Sequence, residues 1–261
     1  MFCNLQFVQA KIDENSIQNF LMARIALPSL LLIALSWSLL DCKVFALATM
    51  STTTKLLFEN PRMRITDLRI PPKETGGTAR HEYPTLRWQV NEGRHLFLGK
   101  EEEVKEKTVS WMNAGNSFLV TNTGETEYRQ VCFEFKQPPK HSQEEVQKKL
   151  SNALYHTNVG TSLLLENDYC RVWDFYLEPG GGDAGNVHHH VLDYCFVYVA
   201  KGRLLGSHAD GSLGLFDSTN EDGDVSWFDI PDSAPSDPNY AHGGTNGYED
   251  LPMREYLVEL K

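Results

Sequence analysis

LLFENPRMRITDLRIPP, residues 56–72, and LLLENDYCRVWDFYLEP, residues 163–179, are two copies of one segment. At an offset of 107 residues, seven of the 17 positions are identical without a gap: Leu56/Leu163, Leu57/Leu164, Glu59/Glu166, Asn60/Asn167, Arg64/Arg171, Asp67/Asp174 and Pro72/Pro179. Ile65/Val172 and Ile70/Leu177 are conservative pairs. Self-similarity at a fixed spacing marks a repeated structural unit. The ends of the halves agree with it: residues 127–136 (EYRQVCFEFK) parallel residues 252–261 (PMREYLVELK), and Val109-Ser110-Trp111 recurs as Val225-Ser226-Trp227. A chain of 261 residues has the length for two units of ordinary size.

The unit reads as β-structure. Residues 62–70 and 171–177 alternate polar and apolar side chains, the period of a half-buried strand. Residues 194–199 (YCFVYV) are aromatic and β-branched. Glycine, proline and asparagine punctuate at short intervals, which predicts many short strands in a sandwich or barrel. Between the copies, residues 137–141 form a polar, proline-bearing linker, and residues 142–154 (SQEEVQKKLSNAL) predict one helix. Ser142 is its N-cap, with acids early and lysines late.

Composition narrows the function classes. Hydrophobic residues make up 41% and charged residues 23%, a globular balance. A formal net charge of −11 argues against nucleic acid and anionic membrane as partners. The five cysteines (Cys3, Cys42, Cys132, Cys170, Cys195) form no CxxC or close pair, and the last three sit in apolar, strand-like runs. They read as small buried hydrophobes, not a disulfide framework. Residues 25–40 (IALPSLLLIALSWSLL), after Arg24 and before Ala46-Leu47-Ala48, read as a secretory or organelle-entry signal covering residues 22–48. The run is short for a membrane span. Translation from Met22 would give a good signal peptide; translation from Met50 would give none and a cytoplasmic protein. Leu39-Leu40-Asp41-Cys42 is a poor lipid-attachment box, and no stable membrane association is expected after processing.

The chemistry concentrates in the second copy. His188-His189-His190 precede YCFVYV, and on a continuous strand His188 and His190 would share one face while His189 points away to solvent or to a supporting role. Gly180-Gly181-Gly182 lies upstream, and His242-Gly243-Gly244-Thr245-Asn246 lies downstream. These residues resemble the two motifs of the cupin superfamily, G-x5-H-x-H-x3,4-E-x6-G and G-x5-P-x-G-x2-H-x3-N. The first is similar to Gly182, His188 and His190, ending at Gly202; the second to Gly223, Pro231, His242 and Asn246, with extra residues before the histidine. The resemblance covers roughly residues 53–261 and implies an all-β fold of two tandem cupin barrels joined by a short helical linker. The expected organisation is residues 1–52 signal-like and outside the fold, 53–136 a degenerate first barrel, 137–160 the linker and 161–261 a metal-binding second barrel.

The resemblance further implies that His188, His190 and His242 hold a divalent transition metal: Fe2+ first, with Mn2+, Ni2+ or Zn2+ as alternatives. The family's glutamate ligand falls on Tyr194 or, counted from Gly202, on Cys195; neither is a carboxylate, and Asp193 is one residue short. Tyr194 is therefore the candidate catalytic residue, as a general base or weak fourth ligand. In the first copy the offset of 107 puts His81 on His188 and Tyr83 on His190, and pairing Asn122 with Asn246 puts Phe118 on His242. No metal is expected there. The proline-rich insert 231–238 is expected at the barrel rim, where it either gates the site or is a plain surface insertion. Residues 211–223 read as an acidic turn. The leading functional expectation is an iron-type dioxygenase of a small organic acid or diketone-like substrate. The alternatives are a non-enzymatic cupin that binds a ligand or is structural, and a metal-dependent lyase or isomerase. A homodimer is compatible with all three.

Overall fold

The alternating segments fold as strands. In the computed structural model, which describes residues 51–78, 80–182 and 187–261, the first copy forms β1 (Thr53–Glu59), β2 (Met63–Ile70), β3 (Thr75–Thr78), β4 (Thr85–Gln89), β5 (Gly93–Phe97), β6 (Lys100–Val104), β7 (Val109–Met112), β8 (Phe118–Asn122) and β9 (Tyr128–Phe135). Helix α1 (Gln143–Ser151) follows. The second copy forms β10 (Ser162–Glu166), β11 (Cys170–Leu177), β12 (His188–His189), β13 (Asp193–Tyr198), β14 (Gly202–Ser207), β15 (Leu213–Asn220), β16 (Val225–Phe228), β17 (Ala241–Asn246) and β18 (Met253–Leu260). The signal-like stretch 22–48, the alternative start Met50, Cys3 and Cys42 all lie outside the described residues. Among those residues, no helix is long and apolar enough to cross a membrane.

Each copy makes the same two antiparallel sheets. The orders are β1-β2-β9-β4-β7 with β3-β8-β5-β6, and β10-β11-β18-β13-β16 with β12-β17-β14-β15. Side chains from both sheets meet inside each barrel: Leu68, Ile70 and Tyr128 against Phe118 and Val120 in the first, and Phe175, Tyr198 and Met253 against Leu204 and Phe216 in the second. The repeated residues explain the repeated geometry. The β1–β2 register slips at Leu57 and the β10–β11 register slips at its counterpart Leu164. Asn60 Oδ1 accepts from the backbone N–H groups of Arg62 and Met63, both at 2.8 Å, and Asn167 Oδ1 accepts from those of Tyr169 and Cys170 at 2.8 and 3.0 Å. An asparagine that caps its own turn is a local reason for a hairpin.

The central strands of the five-stranded sheets, β9 and β18, are buried on both faces. The outer faces of the two sheets share one apolar core: Met63, Ile65, Leu86, Trp88, Val131 and Phe133 of the first copy pack with Cys170, Val172, Cys195, Val197, Tyr256 and Val258 of the second. Trp88 stacks on Tyr256 with ring centroids 3.9 Å apart and 3° between the planes, and the Tyr256 hydroxyl donates to the Gln89 carbonyl at 3.0 Å. Charged pairs rim this core. Arg129 bridges Asp67 at 3.0 Å and Asp222 at 2.7 Å, Lys107 reaches Asp174 at 3.2 Å, and Arg62 pairs with Asp193. Cys132, Cys170 and Cys195 are buried free thiols, as their apolar runs predict.

Helix α1 is held at its start by a capping box: Ser142 Oγ accepts from Glu145 N at 3.3 Å, and Glu145 Oε2 accepts from Ser142 N at 2.8 Å. Its buried Val146 packs on Val191 and Leu192. Ser142→Ala is expected to lower stability by about 1 kcal/mol, read as a reduced urea midpoint with an unchanged slope. One expectation fails: residues 211–223 are not a turn. Leu213–Asn220 is a strand, β15, paired along β14 with one register slip near Gly206. It lies at the edge of its sheet, where charged and polar side chains are the usual composition and mask the strand signal.

Candidate metal centre

The three consecutive histidines do not open a strand that continues into YCFVYV. His188 and His189 form β12 in the four-stranded sheet, whereas β13 begins at Asp193 in the five-stranded one. Between them the chain crosses from sheet to sheet at Val191 and Leu192, which are buried against α1. His188 pairs across the ladder with His242, and His190 N donates to the Tyr240 carbonyl at 3.1 Å. Two neighbouring strands and the crossover thus bring the predicted residues together. One ligand atom from each of His188, His190 and His242 lies within 4.8 Å of the others. The ring centroids stand 5.0 Å (188–190), 4.8 Å (188–242) and 4.9 Å (190–242) apart, a nearly equilateral triangle.

The electrostatics suit a cation. Burial, reinforced by the neighbouring imidazoles, pushes the His190 pKa well below its ordinary value and that of His242 down to about 3. Both rings are therefore neutral, the form that ligates. His190 Nδ1 is buried with no hydrogen-bond partner. A buried, lone-pair-bearing nitrogen left unpaired is costly unless something else satisfies it. Three soft-to-borderline nitrogen donors around one point fit a divalent transition metal. Among the described residues, no carboxylate or thiol joins the cluster.

His189 is fully buried and is not solvent-facing. Its Nδ1 accepts from the Leu154 backbone N–H at 3.2 Å, so Nε2 carries the proton and donates to the Asp237 carbonyl at 3.1 Å. The ring ties the segment after α1 to the insert 231–238. That insert forms two short 3-10 turns, Ala234–Ser236 and Pro238–Tyr240, with Ala234 packed in one apolar cluster with Tyr194. Ala234 and Pro235 are buried, while Pro231, Asp232, Ser233, Ser236 and Pro238 are exposed.

Tyr194 occupies the position where the motif has glutamate. Cys195, the other candidate by counting, lies on the opposite face of β13 in the inter-barrel core. Asp193 also faces away: it accepts from Ile230 N at 2.6 Å and pairs with Arg62 and Lys140. The Tyr194 ring stacks on His190 at 4.0 Å and on Phe228 at 4.7 Å, and burial raises its phenol so that it keeps its proton. Its observed contacts are thus those of a ring that orients His190.

Sequence reasoning missed two acids inside this barrel. Glu259 stands opposite Tyr194 and Arg171, accepting from Arg171 Nη1 and Trp173 Nε1, each at 2.8 Å. Glu255 stands opposite Phe175 and Tyr198, and its Oε1 has no hydrogen-bond partner. Burial pushes the Glu255 carboxyl up to about 7. Its folded pKa exceeds the unfolded one near 4.3, so the unfolded state loses its proton first as pH rises. Stability is then lost between about pH 4.5 and pH 7. Glu255→Gln is expected to remove that slope and to stabilise the protein above pH 7 by roughly 3 kcal/mol. Parallel urea titrations of both proteins from pH 4.5 to 8.5 check it; a constant difference across that range would refute it.

The first copy lacks the triad, and its register corrects the residue pairing. His81 N donates to the Asn116 carbonyl at 2.8 Å, as His190 N does to the Tyr240 carbonyl. Thr85 pairs with Glu134 as Tyr194 pairs with Glu259. His81 therefore corresponds to His190, not His188. Thr78, which pairs with Phe118, stands in the ladder where His188 pairs with His242. The constant offset of 107 fails because the second copy has extra residues before β12. His81 Nδ1 contacts Glu134 at 3.1 Å, where His190 has the stacked Tyr194 instead.

No protein-family model matches the chain, and no curated protein matches it. Among solved structures it is similar to AerE from Microcystis aeruginosa, with a TM-score of 0.51 at 9% identity over 80% of this chain and 98% of that one. The fold is that of a bicupin. Further similar structures are a cupin domain from Bordetella pertussis Tohama I (TM-score 0.31, 21% identity, 33% of this chain and 95% of that one) and the oxalate decarboxylase of Bacillus subtilis (TM-score 0.46, 12% identity, 77% and 69%). At 9% identity the likeness to AerE speaks for the fold alone.

Proposed function

We propose that this bicupin is a metal-dependent enzyme of the non-haem iron dioxygenase type, acting through its second barrel on a small organic acid or diketone-like compound. The observation that carries the reading is a donor set of three histidines with tyrosine in place of the carboxylate. Such a set leaves a divalent ion its full charge and several open positions, which favours a bidentate anionic or enolic substrate. The bound ion would supply the redox chemistry with dioxygen. The chain's residues do the rest. His188, His190 and His242 fix the ion's position. Tyr194 holds the His190 ring, and its hydroxyl is the candidate general base only where a bound ion would offset the effect of burial on the phenol. Trp173, Phe196 and Phe228 line the same wall and keep it dry.

Oxygen consumption by the full chain loaded with Fe2+, measured across a panel of small carboxylic acids and β-diketones, tests the reading. The expected result is uptake that depends on one class of substrate and disappears in His190→Ala. Turnover without oxygen consumption would replace it with a lyase or isomerase. Stoichiometric metal with no turnover of any panel member would favour a binding protein.

A further inference from the structure

We infer that the first barrel is a second, metal-free binding chamber, for a small organic carboxylate anchored by Arg87. On β4, Leu86 and Trp88 face the shared core, so Arg87 points into the barrel, opposite Cys132. Its guanidinium lies 4.3 Å from the Phe118 ring centroid and 5.0 Å from that of Phe97. Among the described residues it makes no hydrogen bond or ion pair, and its Nε is buried without a partner. The corresponding side chain of the second barrel is Phe196, so the fold does not require a cation there.

The surrounding groups leave this charge unmatched. Burial raises the Cys132 thiol to about 12 and raises the Tyr128 phenol, so neither is an anion at neutral pH. Glu102 is held by Lys100 at 2.9 Å, and Glu134 is held by Arg64 and His81. Burial lowers the pKa of His95, whose Nδ1 is also buried and unpartnered. Burial works against the Arg87 charge as well, but a guanidinium does not give up its proton. Arg87 is half-buried with its Nε shut off from water, and an unpaired cation so placed is costly to a fold unless a counter-ion arrives from outside. The fork of Arg87 matches a carboxylate, and the two phenyl rings match an apolar body attached to it. A cavity of about 380 Å³ lined by Arg80, His81, Glu82, Ala114 and Gly115 lies in the same copy, and the His81 ring that lines it stands 6.4 Å from that of Phe118. That volume falls in the range of small-molecule sites.

Benzoate is the probe, with acetate, inorganic phosphate and neutral benzamide beside it. Calorimetric titration is done on the full chain carrying His188→Ala and His242→Ala, so that no anion can bind through a metal, and repeated on the metal-loaded protein. The expected result is one saturable benzoate per chain in both, and no benzamide binding. Arg87→Met should weaken benzoate by at least about 30-fold, Arg87→Lys should weaken it less, and metal content should be unchanged in both variants. No saturable binding of benzoate or acetate, equal binding by Arg87→Met, or phosphate bound in benzoate's place would overturn the inference. Should Arg87→Met fail to fold, nuclear Overhauser contacts from benzoate to Phe97 and Phe118 in the otherwise unaltered chain decide it; their absence overturns it too. Loss of metal binding at the second barrel would leave this result untouched, so the two readings fail separately.

Discussion

The full chain carrying His188→Ala and His242→Ala is expected to purify without metal, with affinity for a divalent transition ion more than about 100-fold below that of the unaltered protein, because two of three donors are gone and loss of supporting groups alone costs 10- to 100-fold. Elemental analysis with a competing chelator measures it. The fold should survive. His188 and His242 pair through their backbones, and alanine keeps that ladder intact. Removing two imidazoles also relieves the mutual crowding that, after burial, depresses the pKa values of His190 and His242. In the absence of metal the variant should therefore be at least as stable as the parent at pH 6, where unfolding otherwise allows these histidines to take up protons. Stoichiometric metal in the variant would place the ion elsewhere and remove the basis of the proposed chemistry.

Trp88→Ala should produce the largest loss of stability, about 3–5 kcal/mol. The indole is completely buried, and it is the point where the first copy stacks on the second, against Tyr256. Because the core is shared, the loss should appear in both halves. Urea unfolding followed by circular dichroism and by tryptophan fluorescence should give one transition moved to lower denaturant. Two separated transitions, with the second barrel unaffected, would show that the halves are energetically independent.

The repeat carried most of the fold. Asn60 and Asn167 mark the same turn, and the alternation after them gives the same strands, because a period of two is strong where one face of a strand differs from the other. β9 and β18 are harder to read: both faces are buried, so Glu134, Glu255 and Glu259 interrupt apolar stretches without marking a surface. The triad was legible because H-x-H and a distant histidine are local chemical signals. The crossover between β12 and β13 was not, since Val191-Leu192 looks like any strand interior and only its packing on α1 turns the chain. The register of His81 was hidden for a related reason: sequence offset stays constant through a strand and changes in a loop. Arg87 carries no signal of its own in the sequence, and only its lack of a paired acid among the described residues gives it meaning.

The back-to-back sheets also set a timetable for synthesis. The first barrel has all its strands once β9 has been made, yet one face of its larger sheet then carries Met63, Ile65, Trp88 and Phe133 with nothing to cover them. The cover comes from β11, β13 and β18, and β18 is the central strand of its sheet, between β11 and β13. The cover cannot be completed until that strand is available. The nascent protein therefore passes through a period in which a finished barrel presents a wide, sticky surface, and it is in this interval that aggregation, or protection by a chaperone, should act on it.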